Sequence, residues 1–153
     1  MKPTVAHNRR HTLTRGLALV DIENLAGTPK VSAELVKEIN EIFYEMAQMD
    51  PLSHTYVACN PKAGFNVGYG WEHTHNLCLK GGKDGADLAL LEQLNAIPNL
   101  DEFYYIVIGS GDHIFADVAL ELRRKGHFVH VIARKESIAP NLRRAANHVT
   151  HLN

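Results

Sequence analysis

Apolar positions in this chain fall into two kinds of pattern that alternate from one end to the other. Some are short unbroken runs, as expected of strands buried on both faces, and others are stripes spaced three or four residues apart, as expected of helices. GLALVD at Gly16–Asp21 is the first run. Leu35, Val36, Ile39, Ile42, Phe43 and Met46 form the first stripe, opened by Ser32 as an N-cap and closed near Pro51. HTYVAC (His54–Cys59) predicts a second strand and Asn76–Lys80 a short third one. Leu88, Leu91 and Leu94 mark a helix, and Tyr104–Ile108 is a fourth, β-branched and aromatic run. Ile114, Phe115, Val118, Ala119 and Leu122 then recur at helical spacing until Gly126, a C-cap glycine, and FVHVIA begins a fifth strand. Ser137–Asn147 reads as a last helix and His148–Leu152 as an edge strand. Two stretches lack a clear period. Gly27–Pro29 reads as a turn, and Asn60–Trp71 mixes three glycines with Phe65, Tyr69 and Trp71. Aromatics there either pack a short helix onto the sheet, the default, or stack on unpaired bases.

Strands alternating with helices, with no repeat and no linker, predict an α/β chain. The expected form is a three-layer α/β/α sandwich around a mostly parallel sheet of five or six strands. A length of 153 residues suits one domain, and 45% hydrophobic with 22% charged residues is ordinary for a soluble globular one. No apolar run approaches the ~20 residues of a membrane span, and the first residues lack the apolar centre of a secretory signal. Cys59 and Cys78, in no paired motif, suit a reducing cytoplasm. A net charge of −1 gives no global basic field. It conceals a basic start, with Lys2, Arg9, Arg10 and Arg15 and no acid. Residues 1–15 are therefore expected to be a flexible arm that could add phosphate contacts, and 16–153 the folded domain.

The chemistry gathers at strand ends. Gly109, Ser110 and Gly111 break the fourth run before Asp112. A dinucleotide-binding fingerprint would need a third glycine where Ile114 stands, and Asp112 would repel a phosphate at the helix start. Asp21 ends the first strand, and Asp87 lies in the first turn of the helix after the third. If the first and fourth strands are neighbours, all three acids meet where strand order reverses. Each also has a local role available: an Asx-turn for Asp21, a helix-start acid for Asp87, an N-cap for Asp112. Clustered carboxylates repel unless a cation lies between them, and oxygen-only ligands favour Mg²⁺ or Mn²⁺. Such a metal can activate a water and stabilise charge on a phosphodiester.

DIEN at Asp21–Asn24, DGADLALL at Asp84–Leu91 and IGSGDHIF at Ile108–Phe115, in this order, resemble the NYN domain of the PIN-like metal-dependent ribonucleases, which also include LabA-like proteins. The resemblance spans roughly residues 16–152. It implies an α/β/α fold, acidic metal ligands and RNA as substrate, with Asp21, Asp87 and Asp112 as the site and Asn24 and Ser110 supporting it. Many relatives carry a second Asp two residues after the first in the last motif, where this chain has Ile114. Asp117, Asp84 or Glu23 could supply the missing oxygen. His113 could shuttle a proton, and Arg143 and Arg144, with Arg9, Arg10 and Arg15, could contact an RNA backbone. Cys59, His73, His75 and Cys78 match no usual zinc spacing. A receiver-type phosphoacceptor is disfavoured, because the early paired acids and late lysine of that class are missing in that pattern. The expectation is a Mg²⁺- or Mn²⁺-dependent ribonuclease. The alternative is a catalytically silent NYN domain that binds RNA or a protein.

Overall fold

A computed structural model describes residues 13–152. Six strands, β1 (Gly16–Asp21), β2 (His54–Cys59), β3 (Asn76–Leu79), β4 (Tyr105–Gly109), β5 (Phe128–Ala133) and β6 (His148–His151), form one sheet. Their order is β3-β2-β1-β4-β5-β6, and every pairing is parallel. Among the described residues, six α-helices connect them: α1 (Ile22–Ala26), α2 (Ala33–Ala47), α3 (Gly64–Gly70), α4 (Gly85–Ala96), α5 (Ala116–Arg124) and α6 (Pro140–Ala145). This is the expected α/β/α sandwich, with six strands.

Alternation along each strand builds two separate cores. Ala18 and Val20 of β1, with Val107 of β4 and Ile132 of β5, face Val36, Ile39 and Phe43 of α2. Leu17 and Leu19, with Ile106, Ile108, Val129 and Val131, face Leu90 of α4, Ala119 and Leu122 of α5 and Leu142 of α6. Burying a large apolar side chain on both faces of each inner strand contributes about 1.5–3 kcal/mol per residue, which explains why these runs read as unbroken. α2 begins as its sequence predicts, with Ser32 Oγ accepting from the Leu35 N–H at 3.1 Å.

One element carried no expectation, and two local expectations need correction. The segment after Asp21 is a short helix, α1, because the Asp21 side chain caps it and Gly27 ends it at φ 75°. The segment before α5 opens with a 3₁₀ turn, His113–Phe115, so the α-helix itself starts at Ala116. The last helix is shorter than Ser137–Asn147. A 3₁₀ turn covers Lys135–Ser137, Ile138 and Ala139 are extended, and Pro140 occupies the first turn of α6, where its missing N–H costs nothing.

In the poorly patterned stretch, Pro61–Ala63 form a 3₁₀ turn that leads into α3. Trp71 closes α3 and is buried against Phe43 and Tyr44, with ring centroids 5.7 and 5.8 Å away. The packing reading therefore holds for Trp71. Of the basic arm, Arg9 and Arg10 lie outside the described residues. Thr14 donates to the Gln48 carbonyl at 3.0 Å and accepts from the Asp50 N–H at 2.9 Å, which ties the start of the domain to the end of α2.

Candidate metal centre

The chain leaves β1 toward β2 and β3 on one side, and β4, β5 and β6 fill the other. Strand order therefore reverses between β1 and β4, as the acid positions require. A cleft of about 420 Å³ opens there at the carboxyl ends of the strands. Asp21, Asp84, Asp87 and Asp112 line it together with Glu23 and Asn24.

Each carboxylate is set by its own element. Asp21 is the last residue of β1, and its Oδ1 accepts from the Asn24 N–H at 3.2 Å. Asp87 lies in the first turn of α4 and is only 3% exposed. Asp112 follows β4, and its Oδ1 accepts from the Ile114 N–H at 3.0 Å. The loop that carries Asp112 is held from two sides. The Gly111 N–H donates to Asn24 Oδ1 at 3.0 Å, and the Asp112 N–H donates to Ser110 Oγ at 3.2 Å. Opposite, the Ala139 N–H donates to the Gly111 carbonyl at 2.8 Å. Gly111 is needed here, because a Cβ would stand 2.5 Å from the Ser137 carbonyl oxygen. Asn24 and Ser110 thus support the site by fixing the loop.

The arrangement is tighter than the sequence indicates. Asp84, Asp87 and Asp112 each offer a carboxylate oxygen, and the three oxygens lie within 4.8 Å of one another. Asp21 is in hydrogen-bond contact with Asp87, which in turn contacts Asp112. Asp84 takes a left-handed conformation, φ 58°, which is uncommon for a residue with a Cβ and held at a cost by the surrounding loop. Asp87 Oδ1 is buried and, among the described residues, receives no hydrogen bond from any donor. Burial, then the contact with Asp21 and the charges of Asp21 and Asp112, push the Asp87 carboxyl up to about 9. Burial also raises Asp21, with Asp112 adding to it, against the hydrogen bonds from Asp87 and the Asn24 N–H. Glu23 is raised by burial, partly offset by the Asn60 N–H that it accepts.

The donor set fits a hard divalent cation. An orphaned buried oxygen among acids lacks a positive partner, and every donor is oxygen, as Mg²⁺ and Mn²⁺ prefer.

The other predicted residues are placed as follows. Asp84 joins the group, while Asp117 is exposed on α5 and absent from it. His113 is 79% exposed, its Nε2 3.9 Å from Asp112 Oδ1. Ile114 packs against the second core. Arg15 precedes β1 and so sits at the amino ends of the strands, lining a depression with His54, Asn99 and Phe103. Arg143 and Arg144 are exposed on α6 and do not line the cleft. Cys59, His73, His75 and Cys78 form no metal-capable group among the described residues.

Two cations line the cleft that sequence reasoning passed over. Lys80 follows β3, and its Nζ is 3.0 Å from Glu92 Oε2. Arg134 follows β5, 2.8 Å from Glu136 Oε2, with its guanidinium where a Cβ of Gly27 would be, 2.6 Å away. The strand-end argument that found the acids would have found Arg134, had it been applied to cations as well.

This all-parallel α/β/α domain, with acids gathered at the switch point, is a PIN-like fold. A family model described as "NYN domain" matches residues 17–153, and the chain belongs to the NYN domain family. NYN domains are in general nuclease-like hydrolase domains that act on nucleic acid and use divalent metals. No curated protein matches the chain.

Proposed function

We propose that this chain is a divalent-metal-dependent ribonuclease that hydrolyses RNA phosphodiester bonds at the Asp21–Asp84–Asp87–Asp112 cleft. The observation that carries this reading is Asp87, whose buried oxygen lacks any donor among the described residues and stands among three other acids. Burying that group without a cation costs stability, and a purely structural residue would not retain it. Asp84, Asp87 and Asp112 would hold the ion, with Asp21 against Asp87. Mg²⁺ or Mn²⁺, when bound, lowers the pKa of a water and offsets charge on the phosphodiester. The protein's own contribution is positioning. Asn24 and Ser110 fix the Asp112 loop, and Arg134 and Lys80 bring positive charge to an otherwise acidic rim. His113 stands exposed beside Asp112, its Nε2 3.9 Å from Oδ1, where a proton shuttle would act. Two free thiols suit a reducing compartment such as the cytoplasm.

One observation favours the silent-module reading. Ile114, at the position where many relatives carry an acid, is committed to the core and offers no oxygen. Asp84 weighs against it by supplying an oxygen to the same group.

The test is cleavage of a mixed single-stranded RNA pool in Mn²⁺, in Mg²⁺ and in EDTA. We expect cleavage with metal, none in EDTA, and loss of activity in Asp21→Asn and Asp87→Asn. Equal cleavage in EDTA, or by the variants, would point to a contaminant. Inactivity on every RNA would favour the binding module.

A further inference from the structure

α3 presents its side chains in the opposite sense to an ordinary surface helix. Its inward positions carry Val67 and glycines, while Phe65 is 83% exposed and Tyr69 is 65% exposed. The two aromatics are one turn apart, with rings 7° from parallel and centroids 6.4 Å apart. A buried Phe would contribute about 1.5–3 kcal/mol, so two large rings left in water on one face mark a surface with a use. Lys37 of α2 stands 5.4 Å from the Tyr69 ring centroid.

A groove runs from the acidic cleft to α3, which it meets at Asn66, the residue after Phe65. It measures about 750 Å³, and Lys30, Lys62, Ala63 and Asn66 form part of its wall. It shares Glu23, Pro29, Asn60 and Gly82 with the cleft, so the two are continuous. Lys30 and Lys62 are exposed, and among the described residues neither is within ion-pair distance of a carboxylate. Unpaired lysines along a groove that reaches α3 at Asn66, on a helix that carries bare parallel rings, match the chemistry of a single strand. Its phosphates meet the ammonium groups, and its bases stack on the rings. A duplex keeps its base faces covered and could use only the lysines.

We propose that the Lys30–Lys62 groove and the Phe65–Tyr69 face of α3 form a stacking platform that holds single-stranded RNA running out of the acidic cleft. This deepens the ribonuclease reading and rests on it for the identity of the strand. The platform reads base faces without a hydrogen-bond code, so it selects single strands and tolerates sequence.

The test titrates a fluorescent single-stranded RNA of about 12 nucleotides, a site size within the usual range, into the full chain in EDTA, followed by anisotropy. Phe65→Ala/Tyr69→Ala should weaken binding about tenfold or more, since one stacked base is typically worth that much. It should leave the melting temperature unchanged, because both rings are exposed. Lys30→Ala/Lys62→Ala should reduce the slope of log affinity against log salt by about 1.4, roughly 0.7 per single-strand phosphate contact. RNA carrying 5-iodouridine should crosslink under light to Phe65 or Tyr69. Equal binding by wild type and the aromatic variant, or crosslinks only elsewhere, overturns the platform while leaving metal-dependent cleavage standing. So does a wild type that binds no RNA, with the nuclease reading then judged by its own Mn²⁺ assay. If the aromatic variant instead dissociates a dimer and keeps its RNA affinity, the face is a contact between copies, and the platform is refuted.

Discussion

Asp87→Asn should stabilise the metal-free protein and remove most of its response to metal. In the folded chain the Asp87 carboxyl is raised from 3.8 to about 9, so at neutral pH it must hold a proton that it would lose on unfolding. Keeping it protonated at pH 7 costs at most about 4 kcal/mol, taking ~1.36 kcal/mol per pH unit above the unfolded value. Asp21 shares the proton and the groups titrate together, so less than half of that ceiling, about 1–2 kcal/mol, should be recoverable. Asparagine keeps the size, carries no charge, and can donate its amide to Asp21 or Asp112. In EDTA the variant should therefore melt about 2–8 °C above wild type. Mn²⁺ at a hundred times its dissociation constant stabilises by about 2.7 kcal/mol, so wild type should gain roughly 5–10 °C and the variant less than half of that. The assay is scanning fluorimetry or calorimetry of both proteins with and without Mn²⁺. A variant that melts below wild type in EDTA would mean that the carboxylate makes a net favourable contact in the apo fold. An undiminished Mn²⁺ response would remove Asp87 from the ion's ligands. Either result refutes the reasoning.

The same shift sets a pH dependence. An acid whose folded pKa is raised destabilises the fold above its unfolded value, so the stability difference between metal-free wild type and Asp87→Asn should grow from about pH 4 toward pH 9, measured by urea unfolding across that range; a constant difference would contradict it. Asp84→Asn should weaken Mn²⁺ binding about tenfold or more by titration calorimetry, whereas Asp117→Asn should leave it unchanged, because only Asp84 is in the oxygen group. Arg134→Ala should raise KM for RNA more than it lowers kcat. Gly27→Ala should do the same more weakly, because the added methyl would stand 2.6 Å from the guanidinium, and a φ of 75° strains any residue with a Cβ.

What was legible in the sequence, and what was not, follows from the range of the interactions involved. Strands buried on both faces announce themselves as runs, so the sheet and the Asp21 and Asp112 strand ends could be read from GLALVD and YYIVIG. The β1–β4 adjacency could only be posed as a condition, since pairing order is a long-range property that no local pattern carries. α1 was missed because a short helix has little period of its own and exists here through two caps, the Asp21 carboxylate and Gly27. A short helix was the default reading of Asn60–Trp71, but the bounds of α3 were not legible because its outward residues are the hydrophobic ones, which inverts the pattern used to find helices.

Ile114 offers no oxygen beside Asp112, and Asp84 offers one from a different element. The residue two after Asp112 falls inside a 3₁₀ turn whose next member, Phe115, is fully buried. At that place an apolar side chain gains contact with the second core, while an acid would need an ion to justify it. Asp84 comes from a different element, the glycine-rich approach to α4, yet its oxygen reaches the same group as Asp87 and Asp112. It does so through a left-handed backbone that an unconstrained aspartate seldom adopts. The same loop places Gly82 on the shared wall of the cleft and the groove. An ion that orders Asp84 would therefore also set the wall along which the RNA strand is proposed to leave.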